Sequence, residues 1–341
     1  MAKLLQIRQR VPAYQLTWII NNICTNHCDY CVPTLHEGKN HHYDWSRARE
    51  FAQRIMDTVS VPINLSVSGG EPTVSPHFEE MVSMFYDRGH TATVTTNGVR
   101  SPEWWDRVAP KLGSASFSYH HRWRTDNFFD SARAAVEHTG VTIRVMMDSR
   151  HFEECVEAYQ VALADPKLSV EAVRILPETS MRNVGAEYTL RQNQWLERYS
   201  VGVGKRYQRT HRQPKMGASY SWSDGTWQDW GSANHVVSTG QNRFVGWACN
   251  IGADSLFISW DGSVKKGNCL QGGNLFHIND HADHELPLVG EICEQEICSC
   301  MTDVNISKVP LNIDISQLKV KKRAVLSEGE YRIMFPSKSD K

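Results

Sequence analysis

TWIINNICTNHCDYC, residues 17–31, is the stretch that decides how this chain folds. Its first half is short, apolar and rich in β-branched and aromatic residues, which reads as a β-strand. Its second half packs three cysteines, Cys24, Cys28 and Cys31, into a C-x3-C-x2-C pattern. A loop that directly follows an apolar strand lies at the strand's C-terminal end, where α/β sheets and barrels carry their sites. A helix-like run follows, DWSRAREFAQRIMDTV (44–59), and then a second strand-like run, INLSVS (63–68).

The same alternation continues outward. HFEEMVSMFYDRG (77–89) leads to ATVTTN (92–97), PEWWDRVAPKL (102–112) to ASFSYH (115–120), and FFDSARAAVEHTG (128–140) to TIRVMMD (142–148). HFEECVEAYQVALAD (151–165) leads to EAVRIL (171–176), and TLRQNQWLERYSVGV (189–203) closes the series. Regular strand–helix alternation implies a parallel sheet with right-handed crossovers. Six units are two short of a closed eightfold barrel. The expected fold class is therefore α/β, a partial (β/α)6 TIM-like barrel, with strands short and apolar enough to be buried on both faces. Cys155, flanked at helical spacing by Phe152, Val156, Tyr159 and Leu163, reads as a buried small hydrophobe.

Beyond Tyr207 the alternation stops. Residues 205–215 (KRYQRTHRQPK) are strongly basic, and residues 220–231 (YSWSDGTWQDWG) read as loop. SLFIS and SVKKG then flank Asp261–Gly262, a tight-turn dipeptide that signals a β-hairpin. The expected division is a core over 1–207, a Trp-rich insertion over 208–243, a cysteine-rich hairpin domain over 244–310, and a polar tail over 311–341.

Composition sets the outer bounds. With 341 residues, 40% hydrophobic and 22% charged, the chain can bury a sizeable core and is not disordered. No apolar run approaches the roughly 20 residues that span a bilayer, so no membrane association is expected. The first 20 residues lack the layout of a secretory signal. The formal net charge of −1 compels no polyanionic partner. Nine cysteines are too few and too uneven for a disulfide scaffold. Three fall near the start and five in the last third, which reads as two sets of metal or cluster ligands in a reducing cytoplasm. Three local thiolates also fit a zinc knuckle completed by His27 or His36.

A second motif, Ser68-Gly69-Gly70-Glu71-Pro72, follows the second strand. With C-x3-C-x-aromatic-C, in which Tyr30 is the aromatic, the chain resembles the radical S-adenosylmethionine (SAM) superfamily over residues 14–200. The resemblance implies that Cys24, Cys28 and Cys31 hold a [4Fe-4S] cluster whose open iron binds SAM. It implies that Gly69, Gly70 and Glu71 meet the methionine amino group and that Tyr30 lies near the adenine. Thr96, Asn97 and Gly98 match a family position that contacts SAM. Ser116 or Ser118 would reach the ribose or carboxylate, Leu176 would pack on the adenine, and His120 and His121 are the candidate catalytic residues. The implied reaction is reductive cleavage of SAM to a 5′-deoxyadenosyl radical that removes a hydrogen atom from a substrate C–H bond. A flavodoxin or ferredoxin is the implied electron donor.

The stretch from Cys249 to Cys269 resembles the start of the SPASM/twitch extension of such enzymes. One auxiliary [4Fe-4S] cluster is expected on Cys249, Cys269, Cys298 and Cys300, with Cys293 as substitute; a structural zinc ribbon is the alternative. Arg122, Arg124, Trp222 and Trp227 join the basic run 205–215 as candidate substrate contacts, which suits a modified base or nucleotide. A peptide or small metabolite stands as the alternative substrate. A zinc-stabilised, non-catalytic nucleic-acid-binding protein is the rival from another class.

Overall fold

The computed structural model describes residues 2–36, 38, 43–176, 184–200, 203–204, 217–280 and 284–311. The basic run 205–215 lies outside them. Six strands run parallel in chain order: β2 (Tyr14–Ile19), β3 (Ile63–Ser68), β4 (Thr91–Thr96), β5 (Ser114–Tyr119), β6 (Gly140–Met147) and β7 (Ser169–Arg174). Helices α1 (Trp45–Thr58), α2 (Phe78–Asp87), α3 (Pro102–Val108), α4 (Phe128–Val136) and α5 (Phe152–Ala164) link them in order, and α6 (Leu190–Tyr199) follows. This is the expected six-unit, α/β partial barrel. The helices start on local signals: Asp44 caps α1, and Thr189 and Gln192 form a capping box on α6.

The strands are not buried on both faces, as expected from sequence. INLSVS and SASFSY alternate strictly: Ile63, Leu65, Val67, Ala115 and Phe117 face the helices and are fully or almost fully buried. Asn64, Ser66, Ser114 and Ser116 turn to the other face, where they line a cavity. The period-two pattern was present in these runs and marks a one-sided apolar strand. The helix-facing side chains form one large core that includes Trp18, Trp105, Phe117 and Tyr159. Cys155 sits in it, fully buried, its thiol donating to Met146 O at 3.4 Å.

The remaining strands do not follow the linear division expected from the sequence. The Asp261–Gly262 hairpin forms as expected, from β12 (Ser255–Ile258) and β13 (Ser263–Lys265), and β14 (Asn274–His277) adds to it. However, β12 pairs in parallel with β2, so the hairpin extends the barrel sheet. At the other edge β8 (Val203–Gly204) pairs with β7. A second sheet runs in the order β10 (Trp227–Asp229), β9 (Ala218–Trp222), β1 (Leu4–Gln9), β16 (Lys308–Pro310), β11 (Trp247–Cys249), β15 (Glu291–Ile292). The N-terminal strand therefore lies in the middle of a sheet otherwise built from the last third of the chain.

The expected loop over 220–231 is in fact the β9–β10 hairpin. Asp224–Gly225 turns it, with Gly225 at φ 83° and Thr226 N donating to Asp224 Oδ1. Its tryptophans obscured a hairpin signal that was in the sequence. Two short helices, α7 (Ala233–Ser238) and α8 (Met301–Val304), pack together on this second unit.

Candidate active site

The cysteine loop follows β2, as its sequence position requires. Cys31 N donates to Cys28 O at 2.9 Å, a tight turn that brings these two cysteines together, and Cys24 lies close enough to act on the pKa of both. Burial pushes all three pKa values up, that of Cys31 to about 12, helped by the neighbouring thiols at Cys28 and Cys31 and by the Glu71 carboxylate at Cys24. Three convergent sulfurs, two of them half-buried, are a donor set suited to a soft iron–sulfur centre. His27 and His36 stack edge to face at 5.7 Å beside this loop.

The loop after β3 makes room for the cysteine loop. A Cβ on Gly70 would lie 2.3 Å from Ile23 O and 2.4 Å from Leu35 O, both backbone atoms. One on Gly69 would lie 2.6 Å from Asn21 O. Gly70 N and Glu71 N donate to Asn21 O and Ile23 O, so the two loops are joined main chain to main chain. The paired glycines are thus explained by close backbone approach.

Glu71 joins two loops within the protein itself. Its side chain is fully buried, and its carboxylate accepts from Thr73 N, Thr73 Oγ1, Thr96 Oγ1 and Asn97 N. It braces the β3 loop to the β4 loop. Burial raises its pKa against the lowering effect of these donors. Thr96 is therefore occupied with Glu71. Asn97 reaches the cysteine loop, its Nδ2 donating to Thr25 Oγ1 at 2.9 Å and to Cys24 Sγ at 3.7 Å.

Tyr30 and His120 meet at the same rim. Tyr30 Oη and His120 Nδ1 are 2.7 Å apart, and the rings stack. Burial pushes the His120 pKa down to about 4 and keeps Tyr30 protonated. In the Nε2–H tautomer Tyr30 donates to Nδ1. His121 diverges from His120 and stacks on His151 at 5.3 Å. Asp29 on the cysteine loop takes two bonds from Arg150, which hold its pKa below the usual carboxylate range. Sequence reasoning missed this clamp, because residues 121 apart carry no local signal.

The other candidates separate. Ser116 lines the barrel cavity, and Ser118 stands in register with Arg144. Leu176 packs against the core of the second sheet. Arg122 pairs loosely with Asp29 at 3.8 Å and lies over Trp123, and Arg124 lies over Tyr119. Trp222 is buried against Tyr220, whereas Trp227 is 56% exposed on the edge strand; neither lines the cavity.

In the second unit, Cys249, Cys269, Cys293 and Cys298 line one small apolar cavity with Phe244, Asp303 and Lys308. Cys300 does not line it. It is the N-cap position of α8, bonded to Asn268. Cys293 thus lines the cavity with the other three, while Cys300 stands next to Cys298 and helps raise its pKa. Lys308 is 2% exposed, donates to Val304 O at 3.1 Å and lies 4.6 Å over Phe244. Four convergent thiols beside one buried ammonium fit a thiolate-ligated centre.

Comparison with known proteins agrees with this geometry. Residues 18–121 match the family model of the radical SAM superfamily. Streptococcus suis SuiB bound to precursor peptide SuiA superposes with a TM-score of 0.51 at 11% identity, over 80% of this chain and 62% of that one. SuiB bound to S-adenosylmethionine gives 0.50 at 13% identity, over 80% and 63%. Native anSMEcpe with bound AdoMet and Kp18Cys peptide gives 0.50 at 15% identity, over 79% and 78%. The chain thus spans under two thirds of the SuiB chain's length. No curated protein matches by sequence. Residues 18–121 thus carry a radical SAM domain by its family model, and the fold shared with SuiB and anSMEcpe extends over 80% and 79% of this chain.

Proposed function

We propose that this protein cleaves SAM reductively and uses the product to abstract a hydrogen atom from a small polar substrate held inside the barrel. The observation that carries the reading is the convergence of Cys24, Cys28 and Cys31 at the strand-end rim, braced by Glu71, Asn97 and the Tyr30–His120 pair. A [4Fe-4S] cluster bound there supplies the electron that breaks the sulfonium bond. The chain's own residues position and shield. Gly69 and Gly70 bring the β3 loop against the cysteine loop, and Asn97 donates to Cys24 Sγ. Neutral His120 fixes the Tyr30 ring without placing a charge at the rim.

Cys249, Cys269, Cys293 and Cys298 would hold one auxiliary cluster, with Lys308 offsetting thiolate charge. A flavodoxin or ferredoxin of the reducing cytoplasm would supply electrons. The test is anaerobic reconstitution, iron analysis and detection of 5′-deoxyadenosine after reduction. About eight irons per chain and SAM cleavage abolished by Cys28→Ala are expected; stoichiometric zinc without cleavage would overturn the reading in favour of a zinc-stabilised binding protein. Cys293→Ala should lose about four irons and Cys300→Ala none.

Among the described residues no aromatic side chain lines the cavity, which favours a small polar substrate over a base or nucleotide that would stack there. A peptide is the second reading, favoured by the fold shared with SuiB, which binds its precursor peptide. Among the described residues no helix is long and apolar enough to cross a membrane.

A further inference from the structure

Two imidazoles and a carboxylate meet at the strand-end rim, apart from both cysteine sets. His121 follows β5, in the turn that Trp123 N and Arg124 N close on His120 O. His151 ends the single 3-10 turn Ser149–His151 after β6, and Glu154 lies in the first turn of α5. One donor atom from each of the three lies within 4.8 Å of the other two. The two rings stack with centroids 5.3 Å and planes 30° apart, and His151 Nδ1 is 3.6 Å from Glu154 Oε1. Residues three apart share a helix face, which places Glu154 beside His151. The pairing of β5 with β6 brings in His121.

The buried Nδ1 of His121 makes no hydrogen bond among the described residues, a state that calls for an explanation. A proton shared by His151 and Glu154 joins two bases and leaves the third out, whereas a metal ion accepts lone pairs from all three. The surroundings suit a cation. The Arg150 guanidinium, next in sequence to His151, is held by Asp148 and, through two bonds, by Asp29. The amino end of α5 opposes a cation weakly, and Glu153 and Glu154 in its first turn offset it. His151 N donates to Asp148 O and Arg150 N to Asp148 Oδ1, so the turn is held by the protein alone. Such preorganisation lowers the ordering cost of binding.

We infer that His121, His151 and Glu154 form a site for one divalent transition-metal ion, zinc being the ion that fits, and that this site is independent of the proposed reaction. Imidazole with a carboxylate suits transition ions, whereas magnesium and calcium take oxygen ligands. Three protein ligands leave a fourth position open to water or another oxygen. The sequence neighbours of the site hold the cysteine loop: His120 bonds Tyr30, and Arg150 bonds Asp29. A bound ion would fix the loop after β5 against the start of α5, beside that loop.

The test adds zinc to the cluster-loaded protein, removes the excess by gel filtration, and measures bound zinc and iron. About one zinc per chain is expected, with iron unchanged. The X-ray absorption spectrum of the zinc should show only nitrogen and oxygen neighbours, at about 2.0–2.2 Å, without the sulfur shell at about 2.3 Å of a cysteine-bound ion. Zinc should also raise the melting temperature. Glu154→Gln, a change to a side chain 48% exposed, should weaken zinc binding by about tenfold or more, as should His151→Gln. Glu153→Gln, one residue away on another helix face, should leave it unchanged.

The inference is overturned if no zinc is retained, if iron-replete protein shows sulfur around its zinc, or if Glu154→Gln and His151→Gln bind zinc as the wild type does. The wild-type spectrum decides even where a variant fails to fold. Should the clusters fail to load, the proposed reaction falls, and zinc on the free thiols is common to wild type and variants. The wild type should then still retain about one zinc more than Glu154→Gln; equal zinc in the two would overturn the site as well.

Discussion

Single side chains at the rim act mainly by joining loops. Glu71 accepts four hydrogen bonds from two elements and has no exposed surface. Glu71→Gln turns one oxygen into a donor facing the N–H groups of Thr73 and Asn97, leaving at least one unsatisfied. A loss of about 1–3 kcal/mol is expected, read as a lower urea midpoint of the protein without SAM. A residue whose only partner were the cofactor would leave that midpoint unchanged. His120 gives a pH test. Its folded pKa, about 4, lies below the ordinary histidine value because the ring is desolvated. Between those values the unfolded chain binds a proton that the folded chain does not, so stability rises with pH across this window and levels off above it. One such site contributes a slope of up to about 1.4 kcal/mol per pH unit. Urea midpoints of the apo protein measured from pH 4.5 to 7.5 (the range in which ordinary histidines titrate) should show a shallower rise in His120→Gln. An identical slope in the variant would mean that the imidazole is protonated in the fold.

At the scale of elements, what was legible in the sequence depended on whether the signal was local. The six strand–helix units and the cysteine loop after the first strand stand out, because each is a contiguous run with its own period. The one-sided alternation of INLSVS and SASFSY was equally local but was masked by the short, apolar look of the strands. With it went the polar barrel interior. The choice between Cys293 and Cys300 is not local at all: it depends on how the chain between β15 and α8 places each thiol, which spacing alone does not encode. The pairing of β12 with β2 joins residues about 240 apart and has no sequence signature. The glycine pair stands against the backbone of the cysteine loop, a close approach that joins residues far apart in the chain and has no local signal. Gly70→Ala should therefore drive that loop out of place. With backbone atoms 2.3 and 2.4 Å from the added carbon, no rotamer change relieves the clash. The expected outcome is loss of about four irons from the N-terminal site with the auxiliary irons retained. Retention of all iron would show that the loops separate without consequence.

The molecule as a whole is tied together by its N-terminal strand. β1 lies between β9 and β16 in the sheet that carries Cys249, and it leads directly into β2 of the barrel. The barrel in turn takes up β12 from the segment between Cys249 and Cys269. The two sheets thus exchange strands in both directions, and neither can unfold without unpairing strands of the other. This interleaving predicts one cooperative unfolding transition, followed alike by tryptophan fluorescence and, in protein reconstituted with the proposed auxiliary cluster, by loss of that cluster's absorbance. Ile7, fully buried in the centre of the second sheet, tests the coupling. Ile7→Ala should destabilise by about 2–5 kcal/mol. Because the sheets share strands, it should move the fluorescence and absorbance midpoints together. Separation of the two curves, with the barrel transition left at its wild-type position, would show that the second sheet melts alone and that the shared strands do not couple the two halves.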